Sequence, residues 1–64
     1  MRVLQRKKVR EKTSLSAAQI DRMEAAGDFP RRMRLSARRW GWVEDEIEAW
    51  LATKAAERGW KPAA

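Results

Sequence analysis

The chain has 64 residues, with fifteen Lys and Arg against nine Asp and Glu, a net charge of +6, and neither cysteine nor histidine. That length holds one domain at most, and so small a core leaves a net stability of only ~3–5 kcal/mol. The composition excludes a disulfide framework and the usual zinc spacings. No apolar run reaches membrane-spanning length, and residues 1–10 lack the apolar centre of a secretory signal, so a cytoplasmic protein is the default.

In residues 1–5, Val3 and Leu4 form a short alternating fragment, an extended arm or strand against the core. Residues 6–12 are rich in helix formers around one aliphatic, Val9, flanked by Arg6 and Lys12 three positions away on each side. This first helix must lay the methylene stems of Arg6 and Lys12 along the core, with their charges in solvent. Residues 13–15 make a tight connection, and Leu15 stands where a hydrophobic residue staples onto the first turn of the next helix. Ser16 is the N-cap of that second helix, and Gln19 completes an S-x-x-Q capping box. Ile20, Met23 and Ala26 recur at helical spacing toward a core, leaving Ala17, Ala18, Gln19, Asp21 and Arg22 outward. Gly27 supplies the left-handed terminator and Pro30 prevents resumption. Two short helices so close together form a helix-turn-helix.

After Pro30 the period changes to two. Residues 32–35 and 39–42 alternate around a hairpin-length joint at 36–38. Read as a symmetric hairpin, Met33, Leu35, Trp40 and Trp42 share a core face, while Arg32, Arg34, Arg39 and Gly41 share a cationic one. Gly41 either permits close backbone approach or relieves crowding between the two Trp. Residues 43–58 form the third helix, with Ile47, Trp50, Leu51 and Lys54/Ala55 on one face, Glu44, Asp45 and Glu46 at its start and Arg58-Gly59 at its close. Residues 60–64 are a tail; Trp60 folds back or packs on another copy.

Charge is divided unevenly. Residues 1–40 hold twelve basic and four acidic side chains, net +8, and residues 41–64 three basic and five acidic, net −2. A localised positive half is the footprint of a nucleic-acid binder, and less often of a membrane-surface peptide. The helices lack the wide apolar face that a membrane surface requires. Trp42, Trp50 and Trp40 fall on apolar phases and belong in the core rather than on a base-stacking platform. Glu44, Asp45 and Glu48 complement the helix dipole, with no nucleophile or metal ligand beside them. The expectation is therefore a protein that is not an enzyme, with no catalytic residue, cofactor, metal or small-molecule substrate.

The ordered set Val9, Thr13, Leu15, Ser16, Ile20, Arg22, the exit Gly27-Asp28-Phe29-Pro30, Leu35, Arg38, Trp42 and the run Glu46-Ile47-Glu48-Ala49-Trp50-Leu51 resembles the AlpA-type prophage regulators and the small MerR-like excisionases. The resemblance covers roughly residues 3 to 52. It implies a mainly α, winged helix-turn-helix fold with three helices and a two-stranded β-hairpin wing. On that reading residues 1–59 are one DNA-binding domain and 60–64 the tail. It also implies that the second helix enters the major groove and that the wing reaches a flanking minor groove or the backbone. Such proteins regulate phage or mobile-element genes, or bend DNA to direct an integrase toward excision. Ser14 stands at the family's usual turn glycine. Ala17, Ala18 and Asp21 occupy positions that are polar or aromatic contacts in relatives.

The expected DNA-binding residues follow by type. Arg22 suits a phosphate or a guanine edge, with a surface salt bridge as its ordinary alternative. Gln19 reads adenine or serves only the capping box, and Ala17 and Ala18 touch thymine methyls or clear space for close approach. Ser16 caps the helix and donates to a phosphate at its N-terminus. Arg31, Arg32, Arg34, Arg38 and Arg39 place five guanidinium groups within nine residues, suited to phosphate forks and narrow minor grooves, with Arg38 nearest the tip. Lys7 and Lys8, with Arg10 and Lys12, touch phosphates rather than bases. The expected partner is double-stranded DNA, joined by an integrase or by further copies of the chain as a dimer or cooperative array. The alternative is an adaptor that docks an integrase or polymerase through the third helix, its basic half serving solubility.

Overall fold

The computed structural model describes residues 1–59, so the expectation for Trp60 lies outside the described residues. The order is β1 (Val3–Leu4), α1 (Arg6–Thr13), α2 (Ala17–Ala25), β2 (Met33–Ser36), β3 (Arg39–Val43) and α3 (Glu44–Glu57). The three strands form an antiparallel sheet in the order β1-β3-β2, a helix-turn-helix backed by a small winged sheet. The core is Leu4, Val9, Ile20, Phe29, Trp42 and Ile47, with Leu15, Met23, Trp50 and Leu51 packed around it. Every described element except β2 contributes one of those six.

Local signals end the helices. Thr13 donates its hydroxyl to the Val9 carbonyl at 2.8 Å and accepts from the Leu15 N–H at 3.3 Å, so one side chain braces the turn after α1. Ser14 adopts the left-handed conformation (φ 62°, ψ 17°), the geometry that a glycine takes without strain. Ser16 and Gln19 form the reciprocal capping box: the Gln19 N–H donates to Ser16 Oγ at 3.1 Å, and the Ser16 N–H to Gln19 Oε1 at 2.9 Å. At the far end of α2 the Asp28 N–H reaches the Met23 carbonyl at 2.8 Å and the Gly27 N–H reaches Glu24 at 3.1 Å. With Gly27 at φ 82° this is a Schellman ending; Ala26, expected on the core stripe, is an exposed cap. No side chain caps α3, and the Glu44 N–H instead donates to the Arg2 carbonyl at 2.8 Å, so the residue just before β1 satisfies one donor of the helix start.

The hairpin faces differ from the symmetric expectation. Met33 lies opposite Gly41, Arg34 opposite Trp40 and Ser36 opposite Arg39, with a bulge between Arg34 and Ser36. Residues directly opposite share a face, so Arg34, Trp40 and Trp42 stand together, while Met33, Leu35 and Gly41 occupy the other side. A two-residue turn and a bulge replace the three-residue joint, and a one-residue slip exchanges the faces of a whole strand. Trp42 is buried (1% exposed), whereas Trp40, expected in the core, is 46% exposed, as is Leu35.

Gly41 is where β1 comes closest. A Cβ there would sit 2.6 Å from Val3 Cγ1 and 3.2 Å from both Leu35 Cδ1 and the Leu4 carbonyl oxygen, so of the two sequence readings close approach holds. Gly41→Ala is expected to destabilise the fold by about 1–3 kcal/mol in urea unfolding, with Val3→Ala recovering part of the loss. Ser14→Gly, by relieving the left-handed backbone, is expected to stabilise by about 0.5–1 kcal/mol, raising the urea midpoint without changing the slope of the transition.

Candidate nucleic-acid interface

The central geometry is an ion network between α1, α2 and the wing. Arg6 donates through Nη1 to Asp21 Oδ1 at 3.0 Å and to the Ala17 carbonyl at 3.5 Å. Arg32 donates through Nη2 to the same Asp21 oxygen at 2.5 Å, while its Nε and its backbone N–H each reach a Glu24 carboxylate oxygen at 2.8 Å. Both guanidinium groups also lie over the indole of Trp42, at 5.8 Å for Arg6 and 5.1 Å for Arg32. The wing is thereby tied to the exposed side of α2.

The same network gives partners to residues that the sequence left without them. Arg32, read as a DNA contact, has a side chain only 22% exposed and spends its donors on Asp21 and Glu24. Arg6 and Lys12 do not simply leave their charges in solvent. Arg6 pairs with Asp21, and Lys12 reaches Glu48, with Glu44 at 3.8 Å. The hydrogen bond that Lys12 donates to the Glu48 carboxylate raises the Lys12 pKa. An acidic residue on the outward face of α2 also receives an explanation: the Asp21 carboxylate is matched by two cations and does not stand alone against an approaching polyanion.

Hydrogen bonds from Arg32 and then Arg6 hold the Asp21 carboxyl below its ordinary value of 3.8. For Arg32, burial acts to lower the pKa, and its bonds to Asp21 and Glu24 outweigh that, leaving it raised and the group charged.

The remaining expected contact residues fall into separate groups. Lys7, Arg10, Ser14, Ser16 and Gln19 surround an open concavity of about 520 Å³ at the α1–α2 turn. Ala18, Gln19 and Arg22 are exposed on α2, and Ala17 is half-buried beneath Arg6. Gln19 uses its carbonyl oxygen in the capping box, which leaves its amide NH₂ as donor. Arg38 and Arg39 line a second concavity beside Gln5 and Arg6. Arg34 braces the wing tip, its Nε 3.2 Å from the Ser36 carbonyl and its Nη2 3.5 Å from that of Ala37. Arg31 lies at the far end of α2, sharing a concavity with Asp21, Glu24, Ala25 and Gly27. Lys8 stands apart: it pairs with Glu11 at 3.5 Å and faces Arg2 and Glu44.

Among the described residues Lys7, Arg10, Arg22, Arg31, Arg38 and Arg39 make no ion pair, and all are exposed. Arg34 of the wing and Arg58 at the end of α3 are likewise exposed and in no ion pair among the described residues, so most of these cations lie on the helix-turn-helix and the wing. No group of His, Cys, Asp and Glu among those residues is placed to hold a metal, and no described helix is long and apolar enough to cross a membrane. Sequence reasoning missed Asp21 as the residue that joins α2 to α1 through Arg6 and to the wing through Arg32, because contacts fifteen and eleven residues apart leave no periodic trace.

A family model described as prophage CP4-57 regulatory protein (AlpA) matches residues 2–55. The chain belongs to that family, whose members are phage-related regulatory DNA-binding proteins. No curated protein matches the chain.

Because the folded pKa of Asp21 is depressed, its pairing contributes stability that is present above the ordinary value of 3.8 and is lost as pH falls through the lowered one. Asp21→Asn is therefore expected to flatten the acid side of the stability–pH curve below about pH 4, measured by urea unfolding at successive pH values.

Proposed function

We propose that this AlpA-family chain binds double-stranded DNA in a sequence-dependent way, with the exposed face of α2 in the major groove and the wing along a flanking minor groove or the backbone. The observation that carries this reading is the distribution of unpaired cations. Arg22 lies on α2, Lys7 and Arg10 flank the capped start of that helix, and Arg38 and Arg39 stand at the wing tip, while Asp21 is already matched. In the complex the Ser16 end of α2 supports a phosphate, since free N–H groups and the helix dipole favour an anion there. Arg22 and the Gln19 amide read base edges, Ala17 and Ala18 allow close approach, and Arg31, Arg34, Arg38 and Arg39 supply phosphate and minor-groove contacts.

Affinity on this reading comes from about five to eight phosphate neutralisations, with specificity from Gln19, Arg22, the wing and the deformability of the site. A protomer this small reaches useful specificity by binding as a dimer or as adjacent copies on repeated sites. The biological use is transcriptional regulation or direction of excision, the latter with an integrase as partner.

Selection of bound sequences from random duplex DNA at two salt concentrations tests this. A short enriched motif is expected, with affinity falling steeply as salt rises. Replacing both Arg38 and Arg39 by Ala should lower the slope of log K against log salt by about two. Absence of binding at low salt would overturn the proposal in favour of the adaptor reading.

A further inference from the structure

Trp40 is a large aromatic side chain left 46% exposed on the wing. It is not a core residue that happens to reach the surface, because its strand neighbour Trp42 already closes the core at 1% exposure and donates its Nε1–H to the Pro30 carbonyl at 3.1 Å. Trp40 lines an open concavity of about 590 Å³ between the start of α1 and the wing, shared with Gln5, Arg6, Arg32, Arg38, Arg39 and the edge of Trp42 that reaches it. No carboxylate-bearing residue lines this concavity. Arg6 is paired with Asp21, while Arg38 and Arg39 have no ion pair among the described residues.

The ring is also held in place. The Arg34 guanidinium lies 5.9 Å from its centroid, and the same guanidinium bonds the Ser36 and Ala37 carbonyls of the turn that carries Arg38. Side-chain platform and flanking cations therefore belong to one braced unit, whose ordering cost is met in folding rather than on binding. The chemistry that complements it has anionic groups on either side of a small ring that presents C–H groups to the indole. A deoxyribose between two phosphates of a DNA strand has that form.

We propose that Trp40 is a DNA-contact residue, its indole packed against a sugar of the strand bordering the wing while Arg38 and Arg39 take the flanking phosphates. The inference rests on the DNA reading above and adds to it an apolar contact that is insensitive to salt. Packing of the indole on the sugar contributes through apolar surface removed from water, and charge neutralisation contributes separately through counterion release.

The test measures binding of the full chain to labelled random-sequence duplex across a range of salt concentrations, for wild type, Trp40→Ala, Trp40→Phe and Arg38→Ala. Trp40→Ala is expected to bind about tenfold more weakly at every salt concentration with an unchanged salt slope. Trp40→Phe should recover most of that affinity, and Arg38→Ala should lower the slope by about one. Thermal melting of the free proteins should be nearly the same for wild type and Trp40→Phe. Wild-type tryptophan emission should be quenched on saturation with DNA, and Trp40→Phe should remove most of that quenching, a readout that does not depend on the alanine variant folding.

Wild-type affinity in Trp40→Ala, a loss that Phe does not recover, or quenching that survives Trp40→Phe would each overturn the assignment. Failure of the wild-type protein to bind would instead overturn the DNA reading itself, and this assignment with it.

Discussion

Two indole N–H groups hold the segment that joins the helix-turn-helix to the wing. Trp50 Nε1 donates to the Asp28 carbonyl at 2.7 Å and Trp42 Nε1 donates to that of Pro30 at 3.1 Å. Between those carbonyls Phe29 is buried, its ring edge-on to Trp50 at a centroid distance of 4.8 Å. Each hydrogen bond has a modest net value of about 1 kcal/mol and the aromatic pair about 0.5–1.5 kcal/mol, but all three act on the same three residues. They fix where α2 ends, where β2 begins and how α3 lies beneath both. In a chain with so little core, that convergence sets the angle between the helix and the wing.

Charge is divided on the same frame. Arg6 and Arg32 cover Trp42 and close on Asp21, and Arg32 also grips Glu24, so these two arginines act as bracing between elements. Arg34 braces the wing tip, whereas Arg38 and Arg39 beyond it stay unpaired among the described residues. Five wing arginines that look equivalent in sequence therefore do different work. Internal ion pairs position the elements, and the cations left over define where a polyanion is attracted. On the acidic side, Glu44 and Glu48 are engaged by Lys12, which ties the start of α3 to α1 and keeps part of its negative charge from opposing the basic face.

Legibility followed the range of the interaction. Ser16, Gln19 and Gly27 marked α2, and Ile47, Trp50 and Leu51 marked α3, because caps and helical stripes are written within a few residues of where they act. Much of the positive surface was legible for the same reason, since Arg and Lys without nearby partners stay exposed. Arg32 was not separable from Arg38 in this way: what distinguishes them is Asp21 and Glu24, eight to eleven residues away from Arg32 in sequence and adjacent only after the wing folds back.

The sequence by itself determined the helix-turn-helix, the presence of a hairpin and the sign of its charge, all of which rest on local backbone preference and composition. Only the tertiary structure decided the hairpin's register. The bulge between Arg34 and Ser36 and the pairing of Arg34 with Trp40 put Arg34, rather than Met33 and Leu35, on the face of Trp40 and Trp42, and Trp40, two residues nearer the wing tip than buried Trp42, is left exposed. Alternation along each strand says which of its own residues share a face but not how the faces of two paired strands match. That choice belongs to the neighbouring strand and to the helices that cover it.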